Sequence, residues 1–208
     1  MRIPRTATSL ISVATAVAWL VAVAIGASDR AAATMGFIPA RLSGLIDLSP
    51  AVPAILTPLS ATLVHGGFLH LAFNMLMLLW CGTAVERVLG RGALLLLYVV
   101  GAYAAAAAQW LADPAAIVPV IGASGAISAV IGAFALSFGT AKRVTSSPKL
   151  NRWINAAWLL AAWVVLQMMV GWLAGGQGLL LATPAHVGGF LAGLLLQRPL
   201  LLWRYRKA

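Results

Sequence analysis

A serine set among small residues, Gly122-Ala123-Ser124-Gly125, and three histidines, His65, His70 and His186, are the residues of this chain best suited to chemistry. A serine hydroxyl becomes a nucleophile when a neutral imidazole stands within hydrogen-bond reach to take its proton. His70 and Asn74 are four residues apart and share one face of a helix, so both can donate to a single point. His65 precedes His70 by five residues, about 140° around a 3.6-residue helix. It is expected to face elsewhere, as a structural histidine bonded to a loop carbonyl. Three histidines can bind zinc, but His65 and His70 are expected to diverge and no HExxH is present. Glu86, the one carboxylate near these helices, belongs to their far end. Neither a metal site nor a cofactor is expected. Asp29, Asp47 and Asp113 fall in loops, so no acid is left for a Ser-His-Asp triad. A serine–histidine dyad is the chemistry that this inventory permits.

The elements that must position these groups follow from composition. The chain has 208 residues, of which 62% are hydrophobic and only 9% charged. Its mean hydropathy is +0.97. A soluble domain carries roughly 25% charged residues, so a soluble enzyme, a disordered tail and a secreted disulfide scaffold are all excluded. Cys81 is the single cysteine and forms no internal disulfide. Uncharged runs cover 6–28, 48–85, 92–112, 114–141 and 153–197. A crossing helix needs about 20 apolar residues. Pro50, Pro53 and Pro58 restrict the second run to its later part. The last run is long enough for two crossings, broken at Gly175-Gly176-Gln177-Gly178 and closed by Pro184. Six helices are expected, near 8–27, 60–82, 92–112, 121–141, 153–174 and 184–203.

Backbone polar groups find no water in lipid, so the expected fold is an all-α integral membrane protein, a six-transmembrane-helix bundle. One membrane domain is expected over 1–208. It has a short N-terminus at 1–7, a loop in the membrane interface at 28–58 and a basic tail at 204–208. Six crossings put both termini on one side. That side collects 12 of the 14 basic residues, and only Arg30 and Arg41 fall opposite. The basic side is the cytoplasmic one. The net charge of +10 is therefore a topology signal, reinforced by anionic inner-leaflet lipid, and nucleic acid is not an expected partner. Reading the first helix as a cleaved signal peptide would leave five crossings and break this charge parity.

Small residues recur on the fourth helix at Ser124, Ser128 and Gly132, with Gly125, Ala129 and Ala133 beside them. On the sixth, His186, Gly189 and Gly193 form one stripe. Such surfaces let two backbones approach closely, and packing them together brings Ser124 to His186 near the outer end of both helices. Serines in membrane helices most often bond their own backbone or sit in packing seams, which is the expectation for Ser128 and Ser137. Trp153 and Trp172 read as interfacial anchors, and Trp158 and Trp163 as lipid contacts ahead of a substrate-binding role.

With these residues in view, the chain resembles the rhomboid family of intramembrane serine proteases. The matching pieces are His65-x4-His70-x3-Asn74, Gly122-Ala-Ser124-Gly125, and Ala185-His186-x2-Gly189-x3-Gly193. Gly82-Thr-Ala-Val-Glu86-Arg87-Val-Leu-Gly90 is similar to the turn after the second helix of that family. The similarity spans residues 60–198. It implies Ser124 as nucleophile and His186 as its general base. It implies His70, Asn74 and the Ser124 backbone N–H as the oxyanion hole, and Gly122, Gly125 and Phe73 as substrate-binding. The implied partners are transmembrane protein substrates within the lipid bilayer, entering between the second and fifth helices. The charge pattern puts both termini in the cytoplasm and the site near the extracellular face, and from compactness alone a bacterial plasma membrane is expected. Two features depart from the family. Ser128 stands where an aromatic residue often stacks on the catalytic histidine, so the orientation of His186 must come from elsewhere. The family's Trp-Arg pair is missing from 28–58. Two other classes compete: a non-catalytic relative that binds membrane helices, and a small transporter. The first typically lacks the serine or the histidine, and the second predicts ionisable groups at midplane depth.

Overall fold

A computed structural model describes residues 6–138, 143–173 and 183–206. The protein is an all-α membrane bundle, and no strand occurs among the described residues. Six long helical runs make up the body. They are α1 (Ala7–Ala24), α5 and α6 (Phe68–Met77 and Thr83–Leu89, joined by a π-helical turn at Leu78–Gly82), α7 (Arg91–Ala112), α8 (Ser124–Phe138), α9 (Pro148–Leu173) and α10 (Thr183–Arg204). Of these, α1, the α5–α6 run, α7 and α10 are long and apolar enough to cross a membrane by length and composition. The expected glycine break at 175–178 and the expected end of the fourth helix at 139–141 lie outside the described residues.

The second crossing differs from expectation at its start. It begins at Phe68, not near residue 60. Val64 is extended and Gly66-Gly67 follow it, so the backbone leaves the helical region before His70. Residues 28–58 are also more structured than a plain loop. They hold α2 (Ser28–Met35), α3 (Pro39–Leu42), a 3₁₀ turn at Ala54–Leu56 and the start of α4 (Thr57–Ser60). A further 3₁₀ turn at Ala61–Leu63 leads toward the second crossing.

At the other end of the bundle, Glu86 ties α6 to the start of α1. Its carboxylate accepts from the backbone N–H groups of Ala7 and Thr8 at 2.7 and 2.9 Å and from the Thr8 hydroxyl at 2.6 Å. These orphan N–H groups of a first helical turn favour a negative partner. Thr6 and Ser9 complete the same terminus with a capping box.

The centre of the bundle is α7, α8 and α10, packed around Leu94, Leu97, Ile127, Val130 and Phe190. Helices α8 and α10 run parallel and touch backbone to backbone. A methyl group added at Gly189 would overlap the Gly125 carbonyl, and one at Gly193 the Ala129 carbonyl. Reciprocally, one at Gly132 would overlap the Phe190 carbonyl. Lipid tails are as apolar as leucine, so helices in a membrane associate through close van der Waals packing rather than hydrophobic burial. Leu20, Trp158 and Leu195 accordingly point outward from α1, α9 and α10, each more than half exposed.

The seam generates a direct prediction. Gly193→Ala should destabilise the protein by about 1–3 kcal/mol through overpacking, seen as a lower thermal unfolding midpoint in detergent. An unchanged midpoint would show that α8 and α10 do not approach this closely.

Candidate active site

Ser124 is the first residue of α8 and His186 lies in the first turn of α10. Because the two helices run parallel and in contact, both side chains emerge at the same depth. Ser124 Oγ and His186 Nε2 are 2.8 Å apart, within the range required of a nucleophile and its base. Both residues are buried, at 6% and 7% exposure, which keeps bulk water from competing for the contact. For the hydroxyl to donate, Nε2 must be the unprotonated ring nitrogen, an assignment that rests on the hydrogen-bond geometry.

The turn before Ser124 is held from outside. Phe37 and Val120 form an isolated antiparallel bridge, with N–H to O distances of 3.0 and 2.8 Å. The Ala40 N–H donates to the Ala116 carbonyl at 3.0 Å, and the Gly122 N–H to the Ala61 carbonyl at 3.0 Å. Trp110 Nε1–H donates to Ser43 Oγ at 2.8 Å, and that hydroxyl donates to the Pro114 carbonyl. The 28–63 region thus serves as a brace for the approach to Ser124. Gly122 has φ +108°, a conformation that side chains resist, and this bend delivers the chain into α8.

His70 sits against that bend. A methyl group at Gly122 would stand 2.6 Å from His70 Nε2 and 3.8 Å from Ser124 Oγ. The Gly66 N–H makes a long contact to His70 Nδ1 at 3.4 Å. This assigns Nδ1 as the acceptor and leaves Nε2–H as the donor on the Ser124 side. Asn74 is fully buried. One of its amide hydrogens goes to the His70 carbonyl at 2.8 Å, and its Oδ1 has no partner among the described residues. Exchanging the amide O and N would set two carbonyl oxygens against each other, which supports this orientation.

His65 does not face away from His70. Their ring centroids are 5.0 Å apart in an edge-on arrangement. The helical-wheel expectation fails because His65 precedes the helix, across Gly66-Gly67. Its Nε2 accepts the backbone N–H of Ala123 at 3.5 Å. No group of three or more His, Cys, Asp or Glu residues suited to a metal occurs among the described residues.

A cavity of about 30 Å³ adjoins the dyad, lined by Ser124, His186, Gly122 and Gly125 together with Ala185 and Thr62. At roughly 10–15 Å³ per water it has room for about two. Phe73 is half-buried on α5 and does not line this cavity.

Ser128 behaves as expected of a membrane-helix serine, donating to the Ser124 carbonyl at 2.7 Å. Trp163 does not behave as expected. Its side chain is only 2% exposed, its Nε1–H donates to Ser128 Oγ at 2.7 Å, and its ring meets that of His186 edge-on, with centroids 6.3 Å apart. A general constraint bears on this: an indole N–H away from water needs an acceptor that lipid cannot supply. Trp153, Trp158 and Trp172, at 55%, 71% and 74% exposure, are the outward ones.

Comparison with known proteins bears on this constellation. The family model described as "Rhomboid domain" matches residues 54–203. The chain belongs to the rhomboid family. Among similar proteins, RHOMBOID-like protein 5 of Arabidopsis thaliana is 32% identical over 144 residues, 69% of this chain and 43% of that protein. Rhomboid protease GluP of Bacillus subtilis is 43% identical over 79 residues, 38% of this chain and 14% of that protein. Rhomboid protein 1, mitochondrial, of Saccharomyces cerevisiae is 33% identical over 138 residues, 63% of this chain and 38% of that protein. The chain spans less than half the length of each of these relatives. Rhomboid membership agrees with the all-helical membrane bundle, and the family includes a member named as a protease.

The bend at Gly122 is testable. Gly122→Ala should displace the His70 imidazole while leaving the bundle folded, at a cost of about 1–3 kcal/mol of backbone strain. Shifted His70 ring resonances in NMR spectra of labelled protein are expected, and unshifted ones would contradict the geometry.

Proposed function

We propose that this rhomboid protein is an intramembrane serine endopeptidase that cleaves transmembrane segments of other membrane proteins. The observation that carries the reading is the 2.8 Å contact between Ser124 Oγ and His186 Nε2. His186 takes the hydroxyl proton as Ser124 attacks a substrate carbonyl carbon, and the carbonyl oxygen becomes an oxyanion. When the C–N bond breaks, the amine leaves with the proton from His186 and an acyl-enzyme remains on Ser124. A water then gives a proton to His186 as its oxygen attacks the ester carbon, the C–Oγ bond breaks, and His186 returns the proton to Ser124 Oγ as the carboxylic product leaves. Space for such water beside the dyad supports this second half.

His70 Nε2–H, the Asn74 amide and the Ser124 backbone N–H are the proposed donors to the oxyanion. Support comes from the closeness of His70 Nε2 to the Gly122 bend and from the position of Ser124 at a helix N-terminus, where negative charge is favoured. Donors aimed at developing charge are among the largest contributors to catalysis. Gly122, Gly125 and Phe73 are proposed to contact the substrate, which enters between α5 and α9. A helical substrate hides its carbonyls in hydrogen bonds, so segments with glycine or proline, which unwind at lower cost, are preferred. The basic side of the bundle is proposed to be cytoplasmic, which puts the dyad near the extracellular face, in a bacterial plasma membrane.

Purified protein in detergent should cleave a transmembrane substrate containing helix-destabilising residues. Ser124→Ala and His186→Ala should abolish cleavage, and Asn74→Ala should lower it by about 10²-fold or less. Cleavage that persists in Ser124→Ala would eliminate the mechanism.

A further inference from the structure

We infer that Trp163 is the residue that positions His186, supplied from α9 rather than from the nucleophile's own helix. The inference rests on the protease reading above and names a further residue of that site.

Three observations converge on it. The Trp163 ring lies edge-on to the His186 ring, with centroids 6.3 Å apart and planes at 70°. An aromatic pair in this arrangement prefers its geometry over others and resists ring rotation. The Trp163 Nε1–H is itself committed, donating to Ser128 Oγ at 2.7 Å, and Ser128 in turn donates to the Ser124 carbonyl at 2.7 Å. The Ser128 hydroxyl thereby uses its single hydrogen and accepts one, so the link is satisfied on both sides. Lastly, Trp163 is the only large buried side chain among the described residues of α9, and the other buried ones there are Asn151 and Ala156.

Position 128 could not hold a second ring while Trp163 is in place, because Ser128 is fully buried beneath the indole. One chain of contacts therefore runs from Trp163 to both members of the dyad. One branch reaches the imidazole through the ring, and the other reaches the serine backbone through Ser128. Seating α9 against the bundle and orienting His186 become a single event. A base held less firmly loses alignment with the hydroxyl, and small misplacements of this kind cost up to about 10²-fold in rate.

The experiment compares Trp163→Leu with Trp163→Phe. Both lose the indole N–H and both shrink the side chain, but only phenylalanine keeps a ring beside His186. The readout is the second-order rate of labelling by a small fluorophosphonate, which needs an activated serine but no entry of a transmembrane substrate past α9. Trp163→Phe is expected to label within about threefold of wild type and Trp163→Leu at least about tenfold more slowly, with unfolding midpoints that match each other. Peptide cleavage should fall in kcat, with KM nearly unchanged, for Trp163→Leu. Equal labelling rates for the two variants overturn the inference, because a purely packing role would treat them alike. Wild-type protein that neither labels nor cleaves overturns the protease reading instead, so the two failures are distinguishable.

Discussion

Two backbones can meet only where side chains stand aside. In α8 and α10 the carbonyls of Gly125 and Ala129 face Gly189 and Gly193 with no room for a Cβ. In a bilayer this closeness must be its own reward, since burying apolar surface against another helix gains little over burying it against lipid. The seam also sets the register. Both helices step forward by four residues per contact, so fixing Gly189 on Gly125 fixes the depth of every residue above it. Ser124 and His186 lie within one turn of that contact. Their hydroxyl and imidazole meet because the glycines below them do.

Around this contact the polar groups are arranged in a continuous chain rather than as isolated points. Trp163 donates to Ser128, Ser128 to the Ser124 carbonyl, and the Ser124 hydroxyl faces His186. A buried polar group without a partner is costly in a medium that offers none, and pairing each group with the next removes that penalty while restricting motion. The other flank is built differently. There Gly122 bends sharply, His70 rests against the bend, and the 28–63 region braces the preceding segment through the Phe37–Val120 bridge and the Gly122–Ala61 bond. Ser124, at a helix start, is thus supported from below by glycine packing, from one side by α9 and from the other by the brace.

Much of this was legible in the sequence, for identifiable reasons. Charges are so scarce that they mark helix ends, which located the six long helical runs, four of them long and apolar enough to cross a membrane. The small-residue stripes of the fourth and sixth helices predicted their contact and, with it, the meeting of Ser124 and His186. What failed was local geometry that a helical wheel presumes. His65 was assigned a direction as though it were inside the helix, but the backbone turns at Gly66-Gly67 and the ring comes to rest on His70. The brace was invisible because it depends on pairing Phe37 with Val120, 83 positions away, with no periodic signal to announce it. Trp163 was read as a lipid contact because tryptophan in a membrane helix usually is one. Its partner Ser128 lies 35 positions away, and Trp158 on the same helix is exposed.

The central claim is that one hydroxyl in this bundle is activated by one imidazole. Peptide mapping by mass spectrometry after treatment with a fluorophosphonate tests it most directly. A single phosphonyl group on the peptide containing Ser124, absent when His186 is replaced by alanine, is the predicted result. An unmodified Ser124 peptide in the folded wild-type protein, or equal modification with and without the imidazole, would contradict it.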